Sequence, residues 1–446
     1  MQLDEILARN LAHALLSEQW EATKLEAAAV SVLPDTLPHV RRGILRELLG
    51  AHRRSGLACW PDAGWIVDQL LRSRRFALAL APIERGEHEW KVSLAAACFA
   101  PLPRLAGLAV PHLATPADLA EWLGVSIDQL DWMADARRQS AVTRIAILQH
   151  YRFHIVPKRS GRPRLIEEPK PRLKALQKRI LKGILEKLPV HEAAHGFVSG
   201  RSCLDAAAKH AGESVVLTAD LADFFATTPV RRVHAIFRTL GYPQAVARLL
   251  TGLTTNVVPS SVLARVRRQS GRAGLSDAFG VRHLPQGAPT SPALANLAAN
   301  ALDRRLQGLA GRYGAAYTRY ADDLAFSGGV GLRRNADWFL WVVAEIARDE
   351  GYRLNVAKTR IASAGQRQRV TGIVVNRHTN VERDDFDRLK ATLHNAVREG
   401  PASQNREAHA DFRAHLTGRV GWVEQVNPTR GAKLRRLLDQ IGWDQG

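Results

Sequence analysis

Tyr317-Thr318-Arg319-Tyr320-Ala321-Asp322-Asp323-Leu324-Ala325-Phe326-Ser327 reads as a strand, a tight turn and a second strand. Two adjacent carboxylates occupy the turn. Asp is common at turns simply because it tolerates their backbone. Adjacent carboxylates at a hairpin end can also point toward one pair of divalent cations. That use needs a further hard oxygen ligand, and Val215-Val216-Leu217-Thr218-Ala219-Asp220 offers one: a buried-type strand ending in a carboxylate that could lie alongside the hairpin. Transfer of a nucleotide requires such a cluster. One ion lowers the pKa of the attacking hydroxyl, and a second holds the triphosphate and stabilises the leaving pyrophosphate. Magnesium keeps several waters and asks for few protein oxygens, so Asp220, Asp322 and Asp323 would suffice.

The overall charge points to a compatible partner. Lys and Arg total 63 against 43 Asp and Glu, a formal +20, and so large a surplus favours a polyanion such as nucleic acid through counterion release. With 446 residues, 46% hydrophobic and 24% charged, the chain can form two or three packed units of ordinary soluble composition. Cys59, Cys98 and Cys203 lie far apart, which argues against a disulfide framework or a cysteine zinc site and suits a reducing compartment. Met1 to Glu5 lacks the pattern of a signal peptide, and the longest apolar stretch, Val92 to Ala100, is too short to span a bilayer. The expectation is a cytoplasmic protein with no membrane partner.

Residues 1 to 105 read mainly as helix, with helical apolar spacing in Gly43–Leu49 and Trp65–Leu71, and carry no chemical motif. Thr115-Pro116-Ala117-Asp118 starts a helix, Gly124 ends it, and a second runs through Leu130 and Met133. The pair reads as a helical hairpin packed on its neighbour in preference to a DNA-reading helix-turn-helix. Phe153–Pro157 and Arg164–Ile166 look like strands joined by a basic turn, Lys158 to Pro163. An amphipathic helix follows with Leu173, Leu176, Ile180, Leu181, Ile184, Leu185 and Leu188 on one stripe. Its opposite face, with Lys174, Lys178, Arg179 and Lys182, is either a solvated surface or a nucleic-acid track. Ser291-Pro292 opens a helix predicted to run through Leu309 to Gly311, and beyond Asn376 the chain is helical and basic.

Tyr320-Ala321-Asp322-Asp323 matches the Tyr-x-Asp-Asp box of reverse transcriptases. Asp220 to Phe225, Leu284-Pro285-Gln286-Gly287-Ala288-Pro289-Thr290-Ser291-Pro292, Gly351 to Thr359, Arg367 to Gly372 and His195 to Ser202 occur around it in the order and spacing of the same family. Over roughly residues 115 to 440 the chain resembles the reverse transcriptases of bacterial retrons. The resemblance implies an α+β right hand. Residues 106–376 would form the fingers and a palm with an antiparallel sheet, residues 377–446 a helical RNA-binding thumb, and residues 1–105 a helical N-terminal extension of unassigned role. It also implies roles by position. Asp220 and Asp322 resemble the ligands that bridge two magnesium ions, with Asp323 completing the site. Lys358 matches the lysine placed to protonate departing pyrophosphate. Lys158 and Arg164 fall where the fingers grip the triphosphate of a dNTP, and Phe225 matches the aromatic gate against a 2′-hydroxyl. Gln286 resembles the residue that packs on the incoming nucleotide, with Gly287 letting backbone approach it. Arg201 and Arg319 are read either as phosphate contacts or as structural ion pairs.

Val370-Thr371-Gly372 matches the retron tripeptide implicated in reading the cognate RNA. A second retron signature, Asn-Ala-x-x-His, keeps Ala207 and His210 but has Ala206 at the Asn position. The resemblance implies a cognate structured noncoding RNA as template and primer, a 2′-hydroxyl start on a guanosine, and a branched RNA–DNA product. It also implies anti-phage defence with an effector protein. His210, the tripeptide, Arg430 and Lys433 are the expected RNA contacts, with Arg419, Arg435 and Arg436 on the same helices. The rival readings are an abortive-infection, diversity-generating or group II intron-like enzyme, a degenerate polymerase fold that only binds RNA, and a DNA-binding regulator using Thr115–Met133.

Overall fold

The computed structural model describes residues 3–17, 22–54, 61, 63–91, 99–135, 139–143, 145–157, 163–270 and 277–443. The chain divides into two compact units, Met1–Pro189 with Phe225–Ala298, and Val190–Phe224 with Ala299–Gly446. None of the described helices is long and apolar enough to cross a membrane.

In the first unit, the described residues between 3 and 84 form five helices around their own apolar core, in which Leu7, Leu11, Leu25, Ile44, Ile66 and Phe76 are buried. The helices Pro116–Leu123 and Ile127–Ala134 each begin with a capping box, on Thr115 and on Ser126. Gly124 closes the first of them in the left-handed region, at φ 70°. Both pack on the helix Gln244–Thr254, where a Cβ on Gly252 would meet the Ala134 carbonyl oxygen at 2.2 Å. This is the helical hairpin expected from the sequence. Strands β1 (Tyr151–Val156) and β2 (Arg164–Pro169) pair antiparallel, His154 opposite Ile166.

The amphipathic helix after β2 is shorter than its apolar stripe. It spans Pro171–Gly183 and stops at Ile184, and a 3-10 turn follows over Leu185–Lys187. Ile184, Leu185 and Leu188 stay buried, so the stripe marks burial beyond the helix itself. On its other face Arg179 stacks over the Trp122 ring at 5.5 Å. The helix expected from Ser291 to Gly311 is likewise two, Ser291–Ala298 and Asn300–Arg312, separated where Ala299 turns to ψ 0°. No Gly or Pro marks that break in the sequence.

The second unit is built on a four-stranded antiparallel sheet in the order β4 (Ala316–Tyr320), β5 (Asp323–Gly328), β3 (Val215–Asp220), β6 (Arg360–Ser363). The helices Asn300–Arg312 and Ala336–Asp349 pack with it, burying Leu302, Leu306, Phe339 and Val343. The Phe326 ring stacks on Tyr317 at 4.8 Å and meets Phe339 edge-on at 5.0 Å. A two-residue hairpin, β7 (Arg369–Val370) to β8 (Ile373–Val374), precedes three helices, Arg383–Glu399, Phe412–Val426 and Pro428–Leu438. Their core holds Leu389, Leu393, Leu416, Val420 and Leu434. Asn427 caps the last helix by accepting from Arg430 N at 3.0 Å.

His210 is fully buried within this unit. Its Nδ1 lies 2.7 Å from Ser327 Oγ and its Nε2 2.7 Å from Thr318 Oγ1, so it ties β5 to β4. This corrects its expected place among RNA contacts, because a ring enclosed and bonded at both nitrogens offers no surface to a ligand. Burial first, then His195 and Lys209, push its pKa down to about 4, while an unfolded His titrates near 6.5. The neutral ring therefore contributes stability that is complete above pH 6.5 and is lost as pH falls toward 4. Equilibrium unfolding at pH 7 and pH 5 should show a larger loss for wild type than for His210→Gln, and equal losses would refute this assignment.

Candidate active site

The register of the central strands sets the site. Asp220, the last residue of β3, pairs directly with Asp323, the first of β5, and Tyr320 pairs with Asp323 across the hairpin. Leu221 N donates to the Asp322 carbonyl at 2.9 Å, fastening the end of β3 to the turn. Asp220 also accepts from Asn355 Nδ2 at 3.2 Å and from Lys358 Nζ at 2.6 Å, and its carbonyl accepts from Asn355 N at 2.7 Å. Asp220, Asp322, Asp323 and Lys358 are thus brought together.

Below the turn lies a buried ion pair. Arg319 is fully buried and gives Nε and Nη2 to the two Asp303 oxygens at 2.7 and 2.6 Å, while Nη1 donates to the Ala321 carbonyl at 3.1 Å. Tyr317 Oη donates to the same Asp303 at 2.8 Å. Burial alone would lower the Arg319 pKa, but Asp303 outweighs it and holds the guanidinium charged. Arg319 is therefore the structural member of an ion pair, and it has no exposed surface for a phosphate. Arg201 donates through Nη1 to the carbonyls of His191 and Ala194, both at 2.7 Å. The turn needs this support because Ala321 sits in the left-handed region at φ 57°. A Cβ on Gly196 would come within 2.6 Å of Ala321 N, so only Gly lets that segment approach the turn.

The carboxylates strain one another. Burial first, then Asp322 and Asp220, push Asp323 up to about 6, with Lys358 opposing. Asp322 is raised by burial and then by Asp220. Among the described residues, no three His, Cys, Asp or Glu side chains close into a ready-made metal cage. The charge is met in this structure by the Lys358 ammonium on Asp220. Such a set of hard oxygens suits magnesium, which keeps most of its shell as water. A cavity of about 890 Å³ opens before the sheet, lined by Asp220, Asp323, Lys358, Arg360, Arg369 and Thr371 among others.

The other expected site residues sit on other elements. Arg164 is exposed at the start of β2, and Phe225 is half-buried in the helix Phe224–Thr227. Gln286 is half-buried and Gly287 exposed at φ 132°. These four belong to the first unit and the aspartates to the second. Lys158 lies outside the described residues. Thr371 and Gly372, at φ 49° and 87°, form the turn of the β7–β8 hairpin. Val370 is buried in an apolar cluster, which corrects its expected RNA contact: its side chain packs inward. Lys433 is exposed, and the Arg430 guanidinium sits 4.8 Å over the Phe386 ring. Arg435 is engaged by Glu424, its Nε at 2.9 Å.

The reverse transcriptase (RNA-dependent DNA polymerase) family profile matches residues 156–386, more than half of the chain. Over 340 residues the chain is 42% identical to the retron Mx65 reverse transcriptase of Myxococcus xanthus, covering 75% of this chain and 73% of that protein. The chain belongs to the retron-type reverse transcriptases. It is an RNA-directed DNA polymerase. Similarity extends to the retron Mx162 enzyme of Myxococcus xanthus, 39% identical over 72% of this chain and 66% of that one. The retron Ec86 reverse transcriptase of Escherichia coli is 32% identical over 76% and 92%.

Sequence reading of this reverse transcriptase assigned no role to Asp303, Gly196 or Asn355. Asp303 did leave a signal: a charge on the stripe of Leu302, Leu306 and Ala310 must find a buried partner. Two outcomes follow from the geometry. In metal-free buffer at pH 7, Asp323→Asn should be more stable than wild type by about 1 kcal/mol after allowing for screening at this exposed carboxyl. Thermal melting in EDTA measures this, and a lower Tm would contradict the repulsion. Gly196→Ala should fold yet lose primer extension by about 10²-fold, because the displaced turn carries the carboxylates; circular dichroism beside an extension assay separates the two effects.

Proposed function

We propose that this retron-type reverse transcriptase copies part of a cognate structured noncoding RNA into branched single-stranded DNA by two-metal nucleotidyl transfer, starting from a guanosine 2′-hydroxyl. The observation that carries the catalytic part is the register that sets Asp220 against Asp323, with Asp322 next to it in the turn and Lys358 on Asp220. Two magnesium ions, when bound, would activate the attacking hydroxyl and stabilise the leaving pyrophosphate. Asp220, Asp322 and Asp323 would hold them. Lys358, displaced from Asp220, would stand ready to donate a proton to pyrophosphate.

In this reading the β1–β2 hairpin is the fingers, with Lys158 and Arg164 gripping the triphosphate of a dNTP. Phe225 bars a 2′-hydroxyl, and Gln286 with Gly287 bounds the nucleotide. The sheet β4-β5-β3-β6 is the palm, the helices after residue 376 are the thumb, and residues 1–105 form an extension of unassigned role. Exposed Lys433, Arg419 and Arg436 supply the thumb's positive surface for RNA, with the Thr371-Gly372 turn beside it. The proposal extends to a role in anti-phage defence, in the cytoplasm and with an effector protein, as the resemblance to retron enzymes implies.

Asp322→Asn should abolish magnesium-dependent deoxynucleotide incorporation while leaving RNA retention largely intact. An extension assay on protein purified with its bound RNA reads both, and incorporation at the wild-type rate would remove Asp322 from the site.

A further inference from the structure

Glu167 on β2 is fully buried, and so is His283, the side chain that meets it. A carboxylate in such a place must be matched by charge and by hydrogen bonds. Glu167 Oε1 lies 2.8 Å from His283 Nε2, and Oε2 accepts from Asn256 Nδ2 at 2.7 Å. His283 Nδ1 is 2.7 Å from the Val281 carbonyl oxygen, which can only accept, so that nitrogen carries a proton. The remaining nitrogen shares a proton with Glu167. Burial by itself would lower the His283 pKa, but Glu167 raises it above the ordinary value and so favours the ion-paired form. The neighbouring Arg282 is directed elsewhere, giving Nη2 to the Asp135 carbonyl at 2.6 Å.

Three segments distant in the chain meet at this carboxylate. Asn256 and His283 exchange both backbone hydrogen bonds, each at 2.9 Å. The Glu167 amide donates to the Gln286 carbonyl at 2.8 Å, and a Cβ on Gly287 would stand 2.9 Å from the Glu167 carbonyl oxygen. The backbone of Glu167 thus holds Gln286 and Gly287 while its side chain anchors the same segment three residues earlier. Along β2, Leu165, Glu167 and Pro169 face inward, so a slip of one residue would put Ile166 or Glu168 in the place of Glu167 and turn its neighbours Leu165 and Pro169 outward. A matched buried pair adds little net stability, but it admits one register.

We infer that Glu167 and His283 are positioning residues for the incoming dNTP: their buried ion pair fixes the Gln286-Gly287 backbone against β2, the strand that begins with Arg164. The inference rests on the nucleotide-binding reading of Gln286 and Arg164, and neither Glu167 nor His283 touches the nucleotide.

The test is steady-state primer extension by the full-length protein with its bound RNA, at a temperature well below each variant's melting point, with KM for dNTP and kcat resolved separately. His283→Ala should raise the dNTP KM about tenfold or more, with kcat within about threefold of wild type and RNA retention unchanged. His283→Gln keeps a donor toward Glu167 and should recover much of the lost affinity. If His283→Ala does not fold, Asn256→Ala carries the test, since it removes one bond to Glu167 and leaves the ion pair; a KM rise of about threefold is expected. A folded variant, His283→Ala or, failing that, Asn256→Ala, with wild-type KM overturns the inference. Gln286→Ala run in parallel separates the two levels. A wild-type KM there defeats the nucleotide-site reading and this inference with it. A raised KM there, beside an unchanged one in His283→Ala, defeats this inference alone.

Discussion

Asp220 can meet Asp322 and Asp323 only in one pairing of β3 with β5. Side chains alternate along a strand, so sliding β3 by one residue would turn the Asp220 carboxylate to the opposite face and move Val215, Leu217 and Ala219 out of the packing they fill. Burial of those residues therefore fixes the register, and the register fixes the carboxylates. The turn itself is strained at Ala321 and is held from behind by the Arg319–Asp303 pair and from the side by Gly196. Apolar packing specifies where the strands lie, and buried charge specifies how the hairpin end is aimed.

That division of labour recurs in the other unit. Glu167 and His283 are buried as a matched pair at the point where the β1–β2 hairpin meets the Gln286-Gly287 segment. Such pairs contribute little net stability against an apolar replacement, yet breaking one costs about 3–5 kcal/mol. They suit places where one geometry must be held against close alternatives. The cluster of Asp220, Asp322 and Asp323, which runs from buried to exposed, works in the opposite sense. Burial and then the neighbouring carboxylates raise the pKa of Asp322 and Asp323, which weakens the fold in the absence of a cation.

The order of elements was legible in the sequence because local chemistry wrote it. The capped helices after Thr115 and Ser126, the strand ending at Asp220 and the hairpin around Asp322 all follow from caps, alternation and turn residues. Where an apolar stripe was the only sign, it overran: the helix after Pro171 stops at Gly183 although the stripe continues to Leu188, and the Ser291 helix breaks at Ala299. Periodicity reports which residues are buried, and burial outlasts the helix.

Sequence by itself determined the family and the strands that carry Asp220 and the Asp322-Asp323 turn, since motif order and residue type are properties of the chain. It did not determine that His210 lies enclosed between Ser327 and Thr318, that Arg319 answers Asp303, or that Glu167 answers His283. Each of those facts joins residues 16 to 117 positions apart. A charged or polar side chain declares its need for a partner in the sequence, but only the folded chain decides which partner reaches it and whether water is excluded.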